Sequence, residues 1–152
     1  MKTPPLLIVA DRGVIKTFMA NGQQAGSVPQ LADTIRIDEA HQKYQDIYTD
    51  QAGSFAKRGT GHVGNSTAER MHVDTEKETR IIRLIGEHVT ELLDLHRPKK
   101  WGFAAPSDIN GAILSHLSQA WTNAIEVNLT KDLTKESPAH LRDHFLAARG
   151  AA

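Results

Sequence analysis

The sequence predicts an α/β fold on a five-stranded mixed sheet, and three observations lead there. Leu6-Leu7-Ile8-Val9-Ala10 is an unbroken apolar run closed by Asp11-Arg12-Gly13, which suits a strand buried on both faces, because a half-buried strand would alternate polar and apolar. Two further strand-like runs follow it across glycine-containing connections. The second half of the chain then alternates helical periodicity with short apolar runs. Strands first and strand-helix alternation afterwards is the order of a sheet that opens as an antiparallel meander and grows by parallel crossovers.

At 152 residues the chain suits one domain, long enough to bury about two thirds of its unfolded surface without staples. Its 18 basic and 18 acidic residues cancel, so any site for a polyanion must be a local concentration of Lys and Arg rather than a global field. No cysteine is present, which excludes thiol catalysis, zinc–thiolate sites and disulfides and suits a reducing compartment. Met1-Lys2-Thr3-Pro4-Pro5 precedes too short an apolar run for a signal peptide, and no run approaches membrane-spanning length. The expectation is a cytoplasmic protein with no membrane partner.

The elements follow in order. Val14-Ile15-Lys16-Thr17-Phe18-Met19-Ala20 is rich in β-branched and aromatic residues and ends at Asn21-Gly22, residues that tolerate the positive φ of a hairpin turn. Gly26-Ser27-Val28-Pro29 is loop, and residues 31–38 alternate with Thr34, Arg36 and Asp38 facing out, a third strand. From Glu39 to Asp74 the chain is polar and glycine-spotted and reads as one long loop, a length that marks function or disorder. At its heart, Lys57-Arg58-Gly59-Thr60-Gly61-His62 places two cations before glycines whose backbone N–H groups can approach an anion.

Thr75-Glu76-Lys77-Glu78 has the form of a capping box, so a helix is predicted to begin there. Ile81, Ile82, Ile85, Val89, Leu92 and Leu93 recur at helical spacing until Pro98 ends it. Trp101-Gly102-Phe103-Ala104-Ala105 is short enough for a buried strand. A second helix, capped by Ser107 or Asp108, carries Ile109, Ile113, Leu117, Ala120, Trp121 and Ala124 on one face. Ile125 to Leu129 alternates as an outer strand does. Ser137-Pro138 supplies an N-cap and first-turn proline to a last helix with Leu141 and Phe145 inward. The order β-β-β-α-β-α-β-α is that of a ribonuclease H-like fold.

Four segments carry a family likeness: Val9-Ala10-Asp11-Arg12-Gly13, Thr49-Asp50-Gln51-Ala52-Gly53-Ser54-Phe55, Ala104-Ala105-Pro106, and the block from Lys131-Asp132-Leu133-Thr134-Lys135 to Arg142. They resemble the bacterial family of proteins required for attachment to host cells. That family is similar in turn to the middle domain of the eukaryotic and archaeal peptide-chain release factors and of Pelota, which implies a ribonuclease H-like fold and a partner in the translation machinery. In the release factors a Gly-Gly-Gln loop before a long helix reaches the peptidyl-tRNA ester. Here the corresponding place holds Gly59-Thr60-Gly61-His62, and the residue type that positions the attacking water is missing, which argues against ester hydrolysis.

Among the chemistry-bearing residues, Asp11, Asp108 and Asp132 each follow a predicted strand, so three carboxylates could meet at one edge of the sheet and suit Mg²⁺ and phosphodiester cleavage. The plainer alternatives are an N-cap role for Asp108 and pairing of Asp11 and Asp132 with Arg12 and Lys131. His140 and His144 have metal-ligand spacing on the last helix, with no third ligand evident. Trp101 and Trp121 fall on apolar faces and read as core. The leading expectation is a non-catalytic domain, needing no cofactor, that engages RNA or a ribosomal surface through Arg12, Lys57, Arg58, Gly59, Gly61, His62 and Lys131. The alternatives are a metal-dependent nuclease or release-factor-like hydrolase, and a cytoplasmic adaptor acting indirectly on attachment.

Overall fold

The computed structural model describes residues 2–20, 26–38, 40 and 63–151. Its strands are β1 (Leu6–Ala10), β2 (Val14–Met19), β3 (Gln30–Arg36), β4 (Trp101–Ala104) and β5 (Ile125–Leu129). The helices are α1 (Val63–His96), α2 (Ser107–Leu114), α3 (Gln119–Asn123) and α4 (Pro138–Ala151). The strands form one open mixed sheet in the order β3-β2-β1-β4-β5. β1 is antiparallel to β2 and parallel to β4; β2–β3 is antiparallel and β4–β5 parallel.

The apolar run 6–10 is central, as its composition requires. Every residue of it is buried, and its two faces feed two cores. Leu6, Ile8 and Ala10 face a cluster with Ile81, Ile85, Val89 and Leu93 of α1 and Ile109 and Ile113 of α2. Leu7 and Val9 face the other way, with Phe18, Val127 and the α4 residues Leu141 and Phe145. Strand alternation therefore sends one short segment into both layers of an α/β/α arrangement. Gly102 of β4 permits the second layer: a Cβ there would stand 2.8 Å from both Leu7 Cδ2 and Phe145 Cε1, so α4 packs its phenyl ring into the space of the missing side chain. At the edge, β5 is half-buried and β3 is almost wholly exposed.

Two helix boundaries differ from the sequence reading. α1 does not start at Thr75 but at Val63, so residues 63–74 of the predicted 39–74 loop are helical; residues 39 and 41–62 lie outside the described residues. Residues 65–74 contain no Gly or Pro, so nothing stops the helix from extending past the box. Thr75 is interior, its carbonyl accepts the Thr79 hydroxyl at 2.9 Å, and Glu78 turns away to Arg12.

The second helix is broken in two. After Leu114 the amides of His116 and Leu117 bond back to Ile113 and Leu114 at 3.0 and 3.1 Å, tighter turns that bring Leu117 into the core. Ser118 then caps α3 by accepting the Trp121 amide at 3.4 Å. Trp101 is fully buried and donates its indole N–H to the Trp121 carbonyl at 2.8 Å; Trp121 is half-buried and donates to Asp94 at 3.0 Å.

Candidate functional site

The site is built on the turn that follows β1. Asp11 Oδ1 accepts the amides of Gly13 at 2.7 Å and Val14 at 2.9 Å, and the Asp11 amide bonds the Val14 carbonyl at 3.0 Å. This side-chain turn closes the β1–β2 hairpin without a regular two-residue loop. The other oxygen, Oδ2, accepts from the Thr134 hydroxyl at 3.0 Å. Thr134 is almost completely buried, and Asp132 Oδ1 holds it from its own side, 2.7 Å from the hydroxyl and 3.0 Å from the amide. One hydroxyl proton thus serves two carboxylates. Lys16, from β2, donates to the Thr134 carbonyl at 2.7 Å.

Beside this junction Arg12 ties two helices together. Its Nε donates to Glu78 of α1 at 2.5 Å and one terminal nitrogen donates to Asp108, in the first turn of α2, at 2.6 Å. The contact with Arg12 holds the Asp108 carboxyl below the usual aspartate range. The same hydrogen bond, reinforced by Glu78, raises the guanidinium against the opposing effect of its partial burial. The guanidinium fork suits this double duty, which a single ammonium would perform less well.

The junction forms the floor of an open cleft of about 620 Å³ lined by Asp11, Arg12, Lys16, Pro106, Asp132 and Lys135, among others. It lies beyond the carboxyl ends of β1, β4 and β5, the side on which open α/β sheets collect ligands. Behind it, Asn110 and Asn128 exchange amide hydrogen bonds at 2.9 and 3.0 Å between α2 and β5, fixing the start of α2 against the sheet.

The structure brings together some of the expected residues. Asp11 and Asp132 meet at Thr134, whereas Asp108 is held by Arg12, so the expected three-carboxylate metal site is not assembled. Among the described residues no three His, Cys, Asp or Glu side chains form a metal-holding group. The physical reason is that Asp108 finds a closer and permanent cation in the guanidinium. Arg12 does line the cleft, but with both helices in its grip. Lys131 is exposed and is not among the lining residues. Lys57, Arg58, Gly59, Gly61 and His62 lie outside the described residues. His140 and His144 both flank Glu136, at 3.6 and 4.0 Å.

Sequence reasoning missed Lys16, Thr134 and Lys135. For Thr134 the signal was present, because Asp132-Leu133-Thr134 has the spacing of a side-chain turn onto the amide two residues on. Lys16, a cation within a β-branched run, was a weaker sign.

The model of the family described as "Protein required for attachment to host cells" matches residues 6–145. The chain belongs to that family. The matched span runs from the first residue of β1 to the core residue Phe145 of α4, so it contains every strand, the Arg12 bridge and the Thr134 junction. No curated protein is similar enough to the chain to count as a match. Membership in the family points to a role in host-cell attachment. No described helix is long and apolar enough to cross a membrane.

Proposed function

We propose that the chain serves attachment as a non-catalytic binding domain of ribonuclease H-like architecture, similar to the release-factor and Pelota middle domain, and that it holds RNA or a ribosomal surface at the carboxyl end of its sheet inside the cell. The observation that carries the non-catalytic part is the commitment of the carboxylates. Both oxygens of Asp11 accept hydrogen bonds, Asp132 is bound to Thr134, and Asp108 is paired with Arg12. With Asp108 turned to Arg12, no three described carboxylates are grouped to hold Mg²⁺. An ion shared by Asp11, Asp108 and Asp132 would have to draw Asp108 off the guanidinium, so the three do not fit one metal site.

The cations supply the binding part of the proposal. Lys16 and Lys135 line the cleft. α1 begins at Val63, well before the core residue Ile81, and at 1.5 Å per residue the 18 intervening steps carry the chain about 27 Å. In the sequence, Lys57, Arg58, Gly59 and Gly61 lie two to six residues ahead of Val63.

The test is affinity for a single-stranded RNA and for ribosomes across a salt series, with wild type, Lys16→Ala/Lys135→Ala and Lys57→Ala/Arg58→Ala. Each lost phosphate contact should flatten the salt slope by about 0.7 on single strands. Equal affinity and slope for all three proteins would overturn the RNA reading and leave the adaptor. Mg²⁺-dependent cleavage of the RNA, lost in Asp11→Asn, would overturn the non-catalytic one.

A further inference from the structure

The opposite pole of the sheet, at the amino ends of β1, β4 and β5, carries a different arrangement of charge. α1 ends at His96, and Arg97 adopts a left-handed conformation with φ 48°. Its amide bonds the Leu93 carbonyl at 2.7 Å and its Nε the Asp94 carbonyl at 3.3 Å. Pro98 then blocks continuation, and Lys99 and Lys100 lead into β4. Arg97, Lys99 and Lys100 are all exposed, and none forms an ion pair with a described residue. Of the acids nearby, Asp94 accepts the Trp121 indole N–H and Glu126 is 2.5 Å from Arg149. In the last turn of α1, Leu95 is 75 % exposed, the most exposed large apolar side chain among the described residues.

We propose that this pole, through Arg97, Lys99, Lys100 and Leu95, docks on the surface of an anionic lipid bilayer. An unpaired basic cluster beside an exposed leucine matches an interface in which phosphate headgroups lie above acyl chains: the cations meet the former and the leucine enters the latter. RNA fits less well. Single-stranded RNA is gripped by exposed aromatic faces, and at this pole Trp101 is fully buried while the Trp121 indole is tied to Asp94. The contact is peripheral, since no described helix can cross a membrane. It is independent of the cleft, which lies at the other end of the sheet.

Co-sedimentation with vesicles of phosphatidylcholine alone, and of equal parts phosphatidylcholine and phosphatidylglycerol, tests the proposal. Wild type pellets with the mixed vesicles only, and less as salt is raised. Each lysine removed lowers the partition coefficient about fivefold, so Lys99→Ala/Lys100→Ala loses most of the binding. Leu95→Ser weakens it severalfold without changing the salt dependence. Lys16→Ala/Lys135→Ala binds vesicles as wild type does, which separates this site from the cleft. Circular dichroism melts confirm that the variants are folded. Equal pelleting with neutral vesicles, or undiminished binding by the double lysine variant, overturns the proposal. So does RNA binding that is lost in Lys99→Ala/Lys100→Ala when wild type ignores both kinds of vesicle.

Discussion

The two poles of the sheet handle charge in opposite ways. At the carboxyl pole the acids of the cleft join distant segments: Arg12 stands between Glu78 and Asp108, and Asp11 and Asp132 share Thr134. At the amino pole Arg97, Lys99 and Lys100 stand in solvent while the neighbouring acids serve other partners. The chain is neutral as a whole, so this is a difference of pairing rather than of composition. Charges that join distant segments contribute to stability and lose freedom to bind, whereas unpaired charges contribute nothing to the fold and remain available to a partner. Substitutions at the paired residues Asp11 and Arg12 should therefore be read in stability, and those at the unpaired Lys99 and Lys100 in binding.

The largest effect is expected at Asp11. Asp11→Ala orphans the Gly13 and Val14 amides and one side of Thr134, which should cost about 2–3 kcal/mol, read from the urea midpoint. Asp11→Asn should recover part of this, because an amide oxygen still accepts. A loss for Asp11→Ala below about 0.5 kcal/mol, the range of an ordinary surface change, would show that the turn closes without its carboxylate.

Arg12→Ala comes next, at about 1 kcal/mol, because the guanidinium is 41 % exposed and solvent screens both pairs. Arg12→Lys should restore less than half, since one ammonium cannot span Glu78 and Asp108 as the fork does. The pH dependence has a definite sign. The folded-state pKa of Asp108 lies below its unfolded value, so the contact stabilises the protein above the ordinary aspartate range. That contribution disappears as pH falls through the depressed folded value. In acid titrations of unfolding free energy, wild type should therefore lose stability more steeply than Arg12→Ala, and parallel curves would remove the assignment.

At the amino pole the effects are smaller and one is opposite in sign. Arg97→Gly should stabilise the chain by about 0.5 kcal/mol, because glycine takes the left-handed conformation without the Cβ clash and gives back part of that gain as chain entropy. A destabilised glycine variant would mean that the Arg97 side chain supports the end of α1. The smallest change is expected for Lys99→Ala/Lys100→Ala, within about 0.5 kcal/mol of wild type by the same denaturation measurement. A larger loss would show that these lysines belong to the fold, and would erase the contrast between the poles.

The sequence by itself determined what depends on neighbours along the chain. An apolar run flanked by a turn made residues 6–10 a central strand, alternation made 125–129 an outer one, and Ser137-Pro138 started the last helix with Leu141 and Phe145 buried. Periodicity and capping act over a few residues, so they are legible wherever competing signals are absent. Where two local signals competed, reading failed: the box at Thr75 sits inside a helix that starts at Val63, and Ser118 begins a new helix within an apolar stripe that had looked continuous. The tertiary structure alone decided the partners of the charged residues. Arg12 meets Glu78 and Asp108 at separations of 66 and 96 residues, and Thr134 meets Asp11 at 123. Ion pairing is set by which side chains the sheet and helices bring within about 3 Å of one another, and no spacing in the sequence encodes that distance.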